Sequence, residues 1–265
     1  MMNPISIYFK IPKLSYRLWK VWNRNRDVFM KTFTTNLLIR LMEPLLYLVA
    51  MGFGLGSFVK EINGVSYVQF IAPGLVATSM LYASFFECTY GSYVRMYWQK
   101  TYDAIIATPV SLEEVIAGEV LWGATRSLIN ATIVLAIIAV WGLVNGPLFL
   151  LIVPFSFLVG LLFASFATCY SAVVPNMDYF NYTQFLFIMP MNLFSGTFFP
   201  TTILPQTVQL FAQLFLPLTH VINITRGLTL EMLDLSMLFS FIWLVAITLV
   251  FFILSINLMV KRLIK

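Results

Sequence analysis

The sequence predicts an all-α integral membrane protein, and three observations support this fold class. Of the 265 residues, 60% are hydrophobic and 10% are charged, whereas about one-quarter of the residues of a soluble domain are charged. The mean hydropathy is +0.88. Apolar runs of about 20 residues, each long enough to cross roughly 30 Å of hydrocarbon, recur along the chain. We therefore expect a single transmembrane domain over residues 1–265, and we do not interpret the net charge of +5 as a sign of nucleic-acid binding.

An amphipathic helix is expected near the N-terminus, over residues 10–32. Its apolar face comprises Leu14, Leu18, Val21, Trp22 and Phe29. Its charged face comprises Arg17, Lys20, Arg24, Asp27 and Lys31. A helix of this kind lies in the membrane interface, with its basic face towards anionic headgroups. The alternative is a solvated basic arm, which Trp19 and Trp22 disfavour.

Six transmembrane helices are expected after this amphipathic helix. Their predicted limits are about 36–58, 68–93, 116–142, 148–174, 179–199 and 235–259. Six spans place both termini on one side of the membrane. Eight Lys and Arg lie in the first forty residues, two in the 95–118 loop and three in the tail, against Lys60 and Arg226 on the opposite side. The positive-inside rule therefore predicts that both termini and the 95–118 loop are cytoplasmic.

The segment between the fifth and sixth spans differs from the other loops. It is too apolar for an aqueous loop, and Pro200, Pro205 and Pro217 interrupt it too often for a single span. Non-helical backbone at membrane depth survives only where protein or a cavity covers it. We therefore expect one or two short re-entrant helices in the outer leaflet.

The stretch from Arg95 to Arg126 carries many charges between two apolar runs. Because hydrocarbon does not tolerate that density of charge, we expect the stretch to lie in water. Tyr102 to Thr108 should form one or two helical turns that Pro109 ends. Ser111 and Glu114 have the spacing of a capping box that starts the next helix. A plain connecting loop is the alternative, but the mixture of apolar and charged residues favours a docking surface.

The pattern KTYDAIIATPVSLEEVIAGE resembles the cytoplasmic loop of the ABC-2 family of export permeases. In that family the loop forms a coupling helix that inserts into a groove of a separate ATPase. The resemblance carries this role to Tyr102, Asp103, Ala104, Ile105, Ile106, Thr108 and Pro109.

A second resemblance to the family lies in the outer segment, from Ser195 to Gly227, and a third at Pro73-Gly74-Leu75. These imply an outer gate at Ser195, Gly196, Phe199, Pro200 and Pro205. One departure is that members often have an aromatic residue shortly after the Leu-Pro, where this chain has Gln206, Thr207 and Val208. Within the family, the chain is most similar to permeases for nodulation lipo-oligosaccharides and to related drug-export permeases.

The resemblance implies a permease subunit of an ATP-driven exporter in the bacterial cytoplasmic (inner) membrane. A lipid-linked oligosaccharide, a lipid or a hydrophobic drug would each fit as its amphipathic substrate. No G-x-x-x-x-G-K-[ST] motif occurs in the sequence. ATP and Mg²⁺ are therefore expected on a separate cytoplasmic P-loop ATPase. The family resemblance implies that two copies of this ATPase bind a homodimer of this chain. Membrane lipids are also expected partners. The alternative is an ATP-independent carrier or channel.

Catalytic and metal-binding residues are not expected in this chain. Its single histidine, His220, has no carboxylate close in sequence, so we expect it to form a hydrogen bond with a neighbour rather than bind a metal. A membrane-embedded enzyme would need clusters of His and carboxylate residues that the sequence lacks. Cys88 and Cys169 both lie in apolar runs and are expected to be free, buried thiols.

Charged and aromatic residues within the spans are candidates for a translocation path. They are Glu43, Glu87, Arg126, Tyr82, Phe86, Phe194 and Phe198. A charge in hydrocarbon must face the helix bundle or find a partner. The charged residues therefore form either a polar vestibule for a headgroup or a structural ion pair between helices. Because six spans are few to enclose a path, we expect a two-fold dimer with the path between protomers, lined by spans one, two and five.

Overall fold

Helices form nearly all of the regular structure in a computed structural model, which describes residues 10–33, 42, 45–52, 54–59, 61–62 and 64–264. In chain order the α-helices are α1 Leu18–Lys31, α2 Leu55–Phe58, α3 Tyr67–Phe86, α4 Thr101–Ile106, α5 Leu112–Val140, α6 Ile152–Val173, α7 Tyr179–Thr183, α8 Met189–Phe194, α9 Gln206–Phe215, α10 Pro217–Leu230 and α11 Leu235–Leu263. The π-helical turns are Glu87–Gly91, Val94–Trp98 and Gln184–Ile188, and the 3-10 turns are Leu148–Leu151 and Thr201–Ile203. A short antiparallel hairpin joins β1 Glu61–Ile62 to β2 Val65–Ser66.

The predicted all-α membrane class is confirmed. Among the described residues, four helices are long and apolar enough to cross a bilayer: Tyr67–Trp98, Leu112–Val140, Leu148–Val173 and Leu235–Leu263. They coincide with the second, third, fourth and sixth predicted spans. The second extends further than predicted because two π-helical turns continue α3 to Trp98.

The other two predicted spans are not established by the described residues. The first, 36–58, falls largely on residues outside the described ones. The fifth, 179–199, is continuously helical only through α7, the π-helical turn and α8. Those sixteen or so residues rise about 24 Å, which is shorter than the hydrocarbon core. The six-span count therefore stays a prediction.

The predicted re-entrant region consists of two helices, α9 and α10, that meet at an angle of 91°. The bend falls at Leu216, where Pro217 starts α10. Because proline has no backbone N–H and its ring clashes with the preceding turn, α9 cannot continue through this position. This geometry fits both a broken span and a re-entrant pair, so the location in the outer leaflet stays a prediction.

The core lies where α3, α5 and α6 pack against one another, with α10 packed against α3 and α11 against α6. Gly160 lets α6 approach α5 closely, since a Cβ at this position would lie 2.7 Å from the Cα of Ala124. Cys88 and Cys169 are free and buried, which confirms that prediction. His220 is also buried, with hydrogen bonds to Ser240 at 3.1 Å and to the carbonyl of Gln213 at 2.8 Å, as the sequence predicted.

Helix α1 confirms the predicted amphipathic helix, although it begins at Leu18 rather than near residue 10. Its buried residues are Val21, Asn25 and Phe29, and the face that carries them packs against α5. The apolar face is therefore at least partly covered by protein, while its position in the membrane interface stays a prediction.

Gly118→Val is expected to displace α1 from α5. Even a Cβ at Gly118 would lie 2.7 Å from the Cβ of Val21 and 3.0 Å from the carbonyl oxygen of Leu18. Overpacking of this kind destabilises by about 1–3 kcal/mol. We expect a lower midpoint of thermal unfolding and faster tryptic cleavage within α1. Ala136→Val, at an exposed position of the same helix, is the matched control. If Gly118→Val behaves like this control, the close packing of α1 on α5 is wrong.

Candidate functional site

The predicted coupling segment, residues 101–109, consists of α4 and the turn that follows it. The helix starts after Lys100, whose φ is +53°, and the Thr108 hydroxyl donates to the carbonyl of Ile105 at 2.6 Å near its end. The exposed residues are Asp103, Ala104, Ile106, Ala107, Thr108 and Pro109. Acidic, apolar and polar side chains therefore share one accessible surface.

The capping box that starts the next helix is confirmed. The backbone N–H of Glu114 donates to the Ser111 hydroxyl at 3.3 Å, and the backbone N–H of Ser111 donates to Glu114 Oε2 at 2.8 Å. This reciprocal pair fixes where α5 begins, immediately after the coupling segment.

Tyr102 differs from the rest of the coupling segment because only 3% of it is exposed. It belongs to an apolar cluster with Val21, Met96 and Val115. Burial raises the pKa of Tyr102 well above its ordinary value, and the charge of Glu119 adds to that shift, so the phenol stays neutral. Tyr102 therefore anchors α4 to the membrane helices instead of contributing to the exposed surface.

The N-terminal region holds the coupling segment at both ends. Arg24 Nη2 donates to Thr101 Oγ1 at 3.3 Å at the start of α4, and Arg17 Nη1 donates to the carbonyl of Pro109 at 2.6 Å at the other end. The Ser15 hydroxyl also bonds to Glu114. A groove of about 470 Å³ separates α1 from α4. These contacts could not be predicted from local sequence patterns, because they join residues 77 to 99 positions apart.

Four charged residues from α5 and from the π-helical end of α3 form the charge cluster, which comprises Glu87, Arg95, Glu119 and Arg126. Arg95 Nη1 lies 2.9 Å from Glu87 Oε1, and Arg95 Nη2 lies 2.5 Å from Glu119 Oε2. Arg126 Nε lies 3.0 Å from Glu87 Oε2. Asn25 of α1 joins the cluster by donating to Glu119 Oε1 at 2.9 Å. The side chain of Glu119 is only 2% exposed.

The charge cluster contradicts one prediction from the sequence and agrees with another. The sequence predicts that Arg95 and Glu119 lie in water, but the Glu119 side chain is buried, the Arg95 side chain is only 14% exposed, and the two form an ion pair. The predicted structural ion pair forms between Glu87 and Arg126. Glu87 and Arg95 both lie in π-helical turns, a geometry that often marks functional positions.

A cavity of about 400 Å³ opens beside the charge cluster, with Arg24, Phe29, Glu87, Tyr90 and Arg126 among its lining residues. Arg126 Nη1 is buried and has no hydrogen-bond partner. Its guanidinium lies 4.2 Å from the centre of the Phe29 ring. The cavity therefore has both cationic and acidic side chains in its wall, and its use as a vestibule for a headgroup stays a prediction.

A second cavity, of about 330 Å³, lies further along α3 and is lined by Tyr47, Tyr82, Gln184, Asn192 and Phe198 among others. These residues come from the first, second and fifth predicted spans. Asn192 Nδ2 donates to the Tyr82 hydroxyl at 3.0 Å. Asn192 Oδ1 and Gln184 Oε1 are buried without a partner. The cavity therefore offers unpaired amide oxygens within aromatic and apolar walls.

A row of three aromatic rings on α3 and its π-helical extension runs between the two cavities. Tyr82, which lines the second cavity, stacks on Phe86 at 5.6 Å between ring centres, and Phe86 lies 5.8 Å from Tyr90, which lines the first. Five of the seven predicted path residues thus lie in or between the two cavities. Phe194 is 40% exposed on α8 and lines neither cavity. Glu43 lies outside the described residues.

The predicted outer gate is packed against the opposite end of α3. Ser195, Gly196 and Pro200 are buried, Phe199 is half-buried and Pro205 is exposed. Gly196 has a φ of +85°, which suits glycine. Its carbonyl accepts a hydrogen bond from Arg226 Nη2 at 2.8 Å. The Tyr67 hydroxyl at the start of α3 donates to the carbonyl of Phe198 at 3.3 Å.

Comparison with known proteins gives one family. The pattern of the ABC-2 type transporter family matches residues 16–230. The chain is 36% identical over 211 residues to Nodulation protein J of Sinorhizobium fredii, covering 80% of each chain. It is 38% identical over 210 residues to Nodulation protein J of Rhizobium leguminosarum bv. trifolii, covering 79% of this chain and 80% of that one. It is also 28% identical over 198 residues to the inner membrane transport permease YadH of Escherichia coli, covering 71% and 73% respectively.

Proposed function

Because this chain belongs to the ABC-2 type transporter family, we propose that it is the permease subunit of an ATP-driven exporter that moves an amphipathic substrate out across the bacterial cytoplasmic membrane. In this proposal, two copies of the chain form a homodimer and bind two copies of a cytoplasmic P-loop ATPase. ATP and Mg²⁺ are held by the ATPase, and both termini of this chain lie in the cytoplasm.

The arrangement of α4 is the observation that supports this proposal most directly. One surface of α4 is exposed and carries Asp103 and Ile106, while Tyr102 on its other side is buried. A short helix that is accessible on one side and anchored on the other can receive a force and pass it on. An apolar side chain with an acidic neighbour suits a groove on a soluble partner.

The path of the force is proposed to run from α4 to the charge cluster. Tyr102 lies beside Ser92, and the Ser92 hydroxyl donates to Glu119 Oε2 at 3.0 Å. A second connection runs through α1, where Arg24 bonds to Thr101 and the adjacent Asn25 bonds to Glu119. Movement of α4 would thus shift Glu119 relative to Arg95, and the helices that line the first cavity would move with it.

The two cavities are proposed as the translocation path. The charged or strongly polar part of a substrate would lie near Arg126, whose Nη1 has no partner. Its apolar part would lie along the row from Tyr82 to Tyr90, and the amide oxygens of Gln184 and Asn192 would accept hydrogen bonds from hydroxyl or amide groups. This combination suits a lipid-linked oligosaccharide or another amphipath. A second protomer would close the open side of the path.

Reconstitution tests the proposal. The full chain is purified with and without a candidate cytoplasmic P-loop ATPase, and each preparation is placed in liposomes with a fluorescent lipid-linked oligosaccharide or a fluorescent lipid. We expect the chain alone to bind no ATP, and the complex to move substrate only with ATP and Mg²⁺. Transport by the chain alone at the same rate would instead establish the ATP-independent carrier.

A further inference from the structure

Arg226 on α10 lies in an unusual environment for a cation. Both of its hydrogen bonds leave from Nη2, to the carbonyls of Gly196 at 2.8 Å and Phe70 at 3.3 Å. Its Nε is buried without a partner, and its guanidinium lies 3.9 Å from the centre of the Phe70 ring. None of the ion pairs among the described residues includes Arg226. The positive charge is therefore held by carbonyl dipoles and an aromatic face, with no carboxylate to balance it.

Arg226 lines a cavity of about 300 Å³ between α10, the start of α11 and the outer loop. This volume is at the lower end of the range for small-ligand sites, which begins near 300 Å³. Ser195 and Thr219 also line this cavity, and their hydroxyl oxygens are buried without hydrogen-bond partners. Unpaired buried donors cost free energy, so a cluster of them indicates that something else accepts their hydrogen bonds.

The other polar groups of the wall are largely satisfied within the protein. His220 Nε2 donates to the carbonyl of Gln213, so His220 Nδ1 accepts from the Ser240 hydroxyl at 3.1 Å, and Ser240 Oγ in turn accepts from Asn223 Nδ2 at 3.1 Å. The lining residues include no carboxylate. Asp234, the acidic residue nearest to this wall in sequence, caps α11 by accepting from the N–H of Leu235 and does not line the cavity.

We propose that this cavity binds an oxyanion, such as the phosphate of a lipid headgroup or free phosphate, with Arg226 as its cation and Thr219 and Ser195 as hydroxyl donors. A phosphate would accept from the unpaired Arg226 Nε and from the two hydroxyls at once, so that one ligand satisfies three buried groups. Hydrogen bonds to a charged group are roughly twice as strong as those between neutral groups.

The proposed site is distinct from the charge cluster and the coupling segment. Phe70, which packs on Arg226, lies in the first turn of α3, whereas Arg95 and Trp98 lie at the far end of the same continuous helix. At 1.5 Å per residue this separates the two regions by about 40 Å. The oxyanion site therefore lies at the opposite end of the molecule from the surface proposed to bind the ATPase, and its existence does not depend on that proposal.

Two arms of one experiment distinguish the sources of the oxyanion. In the first, the purified full chain in a neutral detergent is titrated with sodium phosphate against sodium chloride at matched ionic strength, and the unfolding midpoint is recorded. In the second, the chain is placed in nanodiscs of phosphatidylcholine with or without phosphatidylglycerol, and the retained lipids are counted by native mass spectrometry. Stabilisation by phosphate supports a free-ion site, and retention of phosphatidylglycerol supports a headgroup site.

Thr219→Val is the decisive variant, because the Thr219 hydroxyl makes no hydrogen bond in the structure and its removal breaks none. We expect Thr219→Val to fold normally and to bind phosphate or phosphatidylglycerol about threefold to tenfold more weakly, and Arg226→Gln to bind at least about tenfold more weakly. Thr202→Val, at an exposed position outside the cavity, is the matched control and should bind as the wild type does. The proposal is overturned if neither anion binds, or if binding is the same in the wild type and in Thr219→Val.

Discussion

Asp103→Arg combined with Ile106→Asp is expected to abolish co-purification of the ATPase while the chain remains folded and inserted in the membrane. Both residues are exposed on α4, and 42% of Ile106 is accessible. Placing a carboxylate where an apolar side chain enters a partner groove leaves that charge desolvated and unpaired. Loss of a central contact of this kind costs about 2–4 kcal/mol, which is a decrease in affinity of roughly 30-fold to 1,000-fold.

The measurement is a pull-down from detergent-solubilised membranes, together with the elution profile of the chain in size-exclusion chromatography. Ile203→Asp serves as the matched control, because Ile203 is 72% exposed in the outer segment, away from α4. It should leave the complex intact. A stable complex with the Asp103→Arg, Ile106→Asp variant would show that α4 is not the ATPase-binding surface.

Local signals in the sequence predicted local structure well. The capping box of Ser111 and Glu114 depends on residues three positions apart, so the start of α5 could be predicted without knowledge of the fold. The end of the short helix α4 before Pro109 follows similarly from short-range chemistry, although α4 ends at Ile106 and not at Thr108 as predicted. Long apolar runs predicted four of the membrane helices for the same reason.

The charge cluster could not be predicted because it depends on how helices pack. The density of charge from Arg95 onwards predicts an aqueous segment, because hydrocarbon does not tolerate so many charges. The π-helical turns carry α3 on to Trp98 and keep Arg95 on the side of Glu87. Arg95 and Glu119 are 24 residues apart in sequence, and whether they meet depends on how the extended α3 packs against α5.

The residues of the candidate translocation path were also only partly predictable from the sequence. The sequence identified aromatic and charged residues but could not show which of them share a cavity. Tyr82, Phe86 and Tyr90 follow a spacing of four and therefore lie in a row along one helix, with neighbouring rings in contact. Gln184 and Asn192 were missed, because single amides in an apolar run carry no signal until the structure shows their oxygens unpaired.

Glu119→Gln is expected to be the most destabilising single substitution in the charge cluster. The Glu119 carboxylate accepts hydrogen bonds from Arg95, Ser92 and Asn25, and it is almost fully buried. Without it, Arg95 must share Glu87 with Arg126, which leaves one buried positive charge uncompensated. Breaking a buried ion pair by removing one partner costs about 3–5 kcal/mol. We therefore expect a large decrease in the midpoint of thermal unfolding, whereas Glu61→Gln, at an exposed carboxylate, should have little effect.

Adding Arg95→Met to Glu119→Gln should recover most of the lost stability, because Glu87 and Arg126 then remain as a balanced pair and replacing a buried ion pair by neutral side chains is often close to neutral. The wild type, Glu119→Gln, Arg95→Met and the double variant form a double-mutant cycle, whose coupling free energy measures the interaction between Arg95 and Glu119. If the cluster also transmits movement from α4, the double variant will be stable and will bind the ATPase, yet it will not transport substrate. Normal transport by the stable double variant would assign the cluster a purely structural role, and the absence of any recovery would contradict the ion pair itself.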